Sequence, residues 1–128
     1  MNPWLTLEEA ETYFDTRFGA SRFWVTGIDK EAALITAQMD IETSGAYSFE
    51  TGMEITAAIK NAVCEQALFL VQNPDMDERR GLIAQGVTQS NIVGEYYRSR
   101  TGVIISSRAD AQLRAVRIGG VNSFPFEK

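Results

Sequence analysis

Three features predict a mainly α protein, a small helical bundle of about four helices with an extended arm or β-hairpin before the last helix. Helix-start signals stand before the stretches that follow, apolar residues recur in them at spacings of three and four, and β-favouring residues gather in one late segment. A chain of 128 residues holds one modest core, so residues 1–117 are read as a single helical domain and 118–128 as a C-terminal tail.

The first helix opens on Thr6-Leu7-Glu8-Glu9, a capping box in which hydroxyl and carboxylate exchange hydrogen bonds with the two backbone amides. Leu5 and Ala10 are spaced as a weak staple, and Glu8, Glu9 and Glu11 suit the positive end of the helix dipole. Leu7, Ala10, Phe14 and Phe18 then make one apolar stripe, and Gly19 is the expected stop. Phe23 and Trp24, in the connector that follows, suit a plug at the end of a small core better than a ligand platform.

Asp29 is the expected cap of a second helix running to about Thr43. Leu34, Ile35, Gln38 and Ile41 form its core edge, and Ala32, Ala33 and Ala37 allow close helix approach. Residues 44–52 read as a loop. The strongest periodicity lies at 53–72, where Ile55, Ile59, Ala62, Val63, Gln66, Ala67 and Leu70 share one face before Asn73-Pro74 stops the helix. The expected core thus includes Leu7, Phe14, Phe18, Leu34, Ile59, Val63 and Leu70.

Residues 77–85 suggest a short helix ending at Gly86. After it, Val87, Ile92, Val93, Tyr96, Tyr97, Val103 and Ile104 are strand-type residues interrupted by Ser90-Asn91, Gly94 and Gly102. This arm, about 87–105, is marginal by itself and calls for something to dock on. Ser106 or Ser107 caps a last helix at about 108–117, with Ala109, Leu113 and Val116 as its apolar edge. Phe124-Pro125-Phe126 in the tail either folds back on the domain or anchors in a partner.

The composition narrows the chemistry. There is no histidine and only one cysteine, Cys64, so the commonest general base, a zinc site and an intrachain disulfide are all disfavoured. No nucleophile elbow, phosphate loop or calcium loop is present. The expectation is a non-enzyme without cofactor or metal. No secretory signal or bilayer-length apolar run is found, which suits a reducing cytoplasm and no membrane contact.

The net charge of −5 is unevenly spread: residues 1–76 carry four cations against twelve acids, residues 77–128 eight against five. Such an asymmetry suits subunits that meet acidic face to basic face, and equally a solvated surface with chance clustering. Tyr96, Tyr97, Arg98 and Arg100 interleave aromatics with cations, as in a small patch for single-stranded DNA. Against that stands the acidity of the whole domain.

The order of segments resembles a known family. Residues 5–14 (LTLEEAETYF), 30–37 (KEAALITA), 59–68 (IKNAVCEQAL) and 85–97 (QGVTQSNIVGEYY), followed by a short final helix, resemble a family of small tailed-phage proteins from the head–tail gene block. Members include head–tail connector or head-completion (adaptor) proteins, and some carry the label DnaT-like single-stranded-DNA-binding protein. The likeness spans roughly residues 5–117 and rests on the ordered set rather than on any one motif. It implies a dodecameric ring under the portal protein in the virion neck, assembled in the bacterial host cytoplasm. That ring would extend the channel for genomic DNA, without sequence recognition, and dock the next neck or tail-completion protein. It further implies that the arm makes extended contacts and that the C-terminal region meets the portal. Arg98, Arg100, Arg108, Arg114, Arg117, Phe124 and Phe126 become the expected portal- or subunit-contacting residues. Between Thr43 and Met53 the chain is shorter than the family, which has a Pro- and Trp-containing stretch there, so that loop's contact is not carried over.

Overall fold

A run of eight consecutive buried residues, Ala62 through Phe69, marks the helix around which everything else is arranged. In the computed structural model, which describes residues 3–50, 52–73, 96–98 and 101–118, this central helix is α3 (Ala57–Gln72). Around it lie α1 (Leu7–Asp15), α2 (Lys30–Thr43), the strands β1 (Tyr96–Arg98) and β2 (Ile104–Ser106), and α4 (Ser107–Gln112). Single 3-10 turns sit at Ala20–Arg22 and Arg114–Val116. The protein is mainly helical, as predicted. A short antiparallel β1–β2 pair stands before the last helix, with Tyr97 opposite Ile105.

The capping signals act as read. Thr6 Oγ1 accepts from the Glu9 amide at 3.1 Å, and the Glu9 carboxylate accepts from the Thr6 amide at 2.8 Å. Asp29 accepts from the Ala32 amide at 3.0 Å and Ser106 from the Arg108 amide at 3.2 Å. Helix α3 starts later than residue 53, because Thr56 takes the cap position and accepts from the Ile59 amide. The last helix is shorter than 108–117: it tightens into the 3-10 turn after Gln112.

The core joins Phe14, Leu34, Ile41, Ile59, Val63, Ile105 and Ala109 from four helices and β2, together with Leu113 just past α4, and Leu7 and Leu70 are partly buried at its edge. Trp24 plugs one end, its ring 4.4 Å from that of Phe14, while Phe23 is partly buried. Two expected core residues are outside it. Phe18 is 96% exposed, because α1 stops at Asp15, where the Thr16 hydroxyl and amide both return to the Tyr13 carbonyl. Ile35 is 47% exposed, since α2 buries only the face holding Leu34, Ala37 and Ile41. Ala32 is exposed as well and gives no close helix approach.

Residues 46–49 do more than link helices. Tyr47 forms an antiparallel bridge with Arg117, the Ser48 amide donates to the Val116 carbonyl at 2.8 Å, and the Ile118 amide to Ala46 at 2.9 Å. Phe49 then stacks on Trp4 at 4.8 Å, and the Trp4 amide donates to Gln38. Both described ends of the chain are thereby fastened to the segment that leaves α2. The suggested helix at 77–85, arm residues Val87, Ile92 and Val93, and Arg100, Phe124 and Phe126 lie outside the described residues.

Candidate functional site

Buried polar groups form three clasps. In the first, Glu65 projects from α3 toward α1 and is 5% exposed. Arg17 grips it twice, Nε to Oε2 at 2.7 Å and Nη2 to Oε1 at 3.2 Å, and the Tyr13 hydroxyl donates to Oε2 as well. Burial and then the Glu65 bond push the Tyr13 phenol above its ordinary pKa, while Glu65 raises that of Arg17, mainly through the hydrogen bond. The next residue, Cys64, is 1% exposed, and burial above all pushes its thiol up to about 12. A thiol so placed is not a thiolate at neutral pH and is a poor nucleophile.

In the second clasp, Gln66 behaves like a neighbouring strand. Its Oε1 accepts from the Ser106 amide at 2.8 Å, and its Nε2 donates to the Ile104 carbonyl at 3.0 Å and to Asp40 at 3.2 Å. This gives one edge of β2 a ladder partner inside the core, while β1 occupies the other. In the third, Asp110 accepts from the Tyr47 hydroxyl at 2.7 Å and from the Arg117 guanidinium. These arrangements are acids and amides satisfied by fixed donors, and they suit rigidity. Among the described residues no cluster of three or more His, Cys, Asp or Glu side chains could hold a metal ion.

The outward features are apolar. Phe18 stands at the rim of a cleft of about 680 Å³ lined in part by Glu11, Phe14, Asp15, Arg22 and Trp24. The turn that carries it is braced. The Phe18 carbonyl accepts from Arg17 Nη1, Gly19 adopts φ 86°, which a side chain would strain, and Ala20 is fully buried behind it. Arg17 turns inward to meet Glu65, so its neighbour is turned out. On α2, Ile35 and Met39 are 47% and 48% exposed, one helical turn apart, with Ala32 on the same side.

The residues expected from sequence distribute unevenly. Arg108 and Arg114 are exposed on and just after α4, available for a partner. Arg117 is instead paired with Asp110 and is 9% exposed. Arg98 belongs to β1, where its backbone pairs with Ile104. Tyr96 is partly buried against Phe69, with ring centroids 6.3 Å apart, so this aromatic of the Tyr/Arg patch is engaged within the chain. Ile104 is fully buried and Val103 partly so, which makes this end of the arm an anchor. Sequence reading missed Glu65 and Asp110. For Glu65 the available signal was an acid set inside an otherwise apolar helical run, which must find a partner when buried.

No protein-family model, no curated protein and no solved structure matches the chain. Among the described residues no helix is long and apolar enough to cross a membrane.

Proposed function

We propose that the chain is a structural virion protein of a tailed phage, a head–tail connector (adaptor) subunit that assembles as a ring beneath the portal. The observation that carries this reading is the division of the molecule into a clasped interior and apolar groups held outward on two surfaces. A ring subunit meets two neighbours through two different surfaces, and it profits from a scaffold that does not deform. Phe18 on its braced turn and the Ile35–Met39 side of α2 are such surfaces.

Further support comes from the segments that resemble the connector family. Residues 5–14 run into α1, 30–37 open α2, 59–68 lie in α3, and Tyr96 and Tyr97 of the fourth segment begin β1. In this reading the ring lines a channel for genomic DNA in the virion neck, and an acidic subunit lets phosphates slide past instead of holding them. The portal lies on one side of the ring and the next neck or tail-completion protein on the other, with exposed Arg108 and Arg114 as contact residues. The protein performs no chemistry and needs no cofactor.

The test is the mass of the purified protein by light scattering, alone and with its cognate portal protein, in moderate salt. The expected result is a ring or a stoichiometric portal complex. A persistent monomer that ignores the portal overturns the reading. If that monomer also binds single-stranded DNA with steep salt dependence, the Tyr96–Arg100 patch takes its place.

A further inference from the structure

Helix α2 is unusual in being apolar on two sides. One side, Leu34, Ala37 and Ile41, is buried in the core. The opposite side carries Ala32, Ile35 and Met39, and all three are exposed. Side chains of this kind at a spacing of three and four form a continuous stripe, not scattered single residues. Two acids flank it. Glu31 lies one turn before Ile35 and Glu42 one turn after Met39, both exposed and without an ion pair among the described residues.

A complementary surface exists elsewhere on the same chain. Phe18, at 96% exposure, has almost its whole ring in solvent, and Val25 is 40% exposed nearby in sequence. Arg22, one 3-10 turn beyond Phe18, is exposed and makes no ion pair among the described residues. The turn that carries the knob is fixed before any partner arrives, because Arg17 is held by Glu65 and in turn holds the Phe18 carbonyl. A braced backbone leaves only the side chain to be ordered on docking, and aromatics dominate binding energies at interfaces. No residue of α2 lines the cleft beside the knob, so knob and stripe are separate surfaces.

We infer that two copies of this chain meet head to tail, the Phe18 knob of one seated on the Ile35–Met39 stripe of α2 in the next, with Arg22 facing Glu31 or Glu42. Charge argues against stripe on stripe and favours knob on stripe over it. Stripe against stripe would bring Glu31 and Glu42 against their own kind, whereas knob against stripe opposes a cation to acids. A contact between unlike surfaces leaves a free knob at one end and a free stripe at the other, so it propagates to a closed ring or a filament. The inference rests on the connector reading and names the subunit contact within it.

The experiment uses two full-length variants, Phe18→Asp and Met39→Asp, each altering an exposed side chain. Far-UV circular dichroism and the urea midpoint check that both stay folded. Sedimentation then gives the association state of the wild type, each variant and their equimolar mixture. Each variant alone is expected to be monomeric, its self-affinity lowered about 30-fold or more. The mixture is expected to pair and stop at a dimer, because one intact knob and one intact stripe remain between the two variants.

Assembly of either variant as in the wild type overturns the contact, and so does a mixture that stays monomeric. Knob-to-knob contact, in which Asp15 would answer Arg22, is revealed by normal assembly of Met39→Asp, and it too overturns the proposal. A wild type that is monomeric yet binds the portal stoichiometrically removes this contact and leaves the connector reading standing. One that also ignores the portal removes both.

Discussion

The α3–β2–α4 interior and the α1-turn and α2 exterior each carry a few residues of the type expected in the other. Inside, Gln66 is fully buried and Glu65 and Asp110 nearly so, each holding backbone or a charged partner. Outside, a phenylalanine, an isoleucine and a methionine face solvent. Buried polar groups cost free energy unless satisfied, and exposed aromatics gain nothing from water. The interior clasps therefore serve geometry, and the exterior residues are what the proposed subunit contact would cover. The two regions ought to separate in experiment: interior changes should alter stability and exterior changes association.

The largest effect is expected from Asp110→Ala. It removes the carboxylate that the Arg117 guanidinium, only 9% exposed, and the Tyr47 hydroxyl both donate to. Loss of one partner of a buried charge pair costs about 3–5 kcal/mol. The urea midpoint should fall by that amount with an unchanged slope. A loss below about 1 kcal/mol would mean that the third clasp does not hold residues 46–48 against 116–118.

Gln66→Leu should cost less, about 2 kcal/mol, because the new side chain keeps the volume but strands the Ser106 amide and the Ile104 carbonyl. Hydrogen exchange at Ser106 should accelerate more than at residues of α3. Uniform acceleration would show that β2 is held mainly by the burial of Ile104 and Ile105.

Phe18→Asp is the exterior counterpart. Its ring touches little, so the urea midpoint should move by no more than about 0.5 kcal/mol even as association is lost. A large loss of stability would place Phe18 in a packing role and would blur the division between the two regions.

The sequence made the caps legible because each is a local contract between a side chain and an amide three residues away. Thr6 with Glu9, and Asp29 with Ala32, needed no knowledge of the rest of the chain. The Gln66 position was legible as part of an inward face, though its task as a strand partner was not. Periodicity failed at Phe18 because the same spacing continues past the place where Thr16 ends α1. It failed at Ile35 because α2 is apolar on two sides and only packing decides which side is covered. The pairing of Tyr47 with Arg117 joins residues far apart in the chain through an irregular segment, which no local pattern encodes. Phe18 and Ile35 thus share one reason for reading as core: their spacing matches the buried face, and only the packed core shows that it is complete without them.

The smallest effect belongs to the exposed clamp that ties α1 to α3 from outside. The Glu9 carboxylate accepts from Lys60 Nζ at 2.7 Å and from the Thr6 amide, and these bonds, the lysine first, hold its pKa below the ordinary value of 4.5. A carboxyl with a depressed pKa in the folded protein stabilises it above the unfolded value, and that contribution is lost as the pH falls through the folded one. The wild type should therefore lose a small increment of stability on acidification from pH 4.5 downward. Glu9→Gln removes this proton-linked step, since the amide does not titrate, and its urea midpoint should vary less steeply over the same interval. The pair is solvent-exposed, so the difference should shrink in high salt, where exposed ion pairs are screened. Identical pH profiles for the two proteins would mean that Lys60 is not held against Glu9 in solution, leaving Glu65 as the polar tie between α1 and α3 and sharpening the contrast between an interior that fixes the fold and an exterior free to serve contacts.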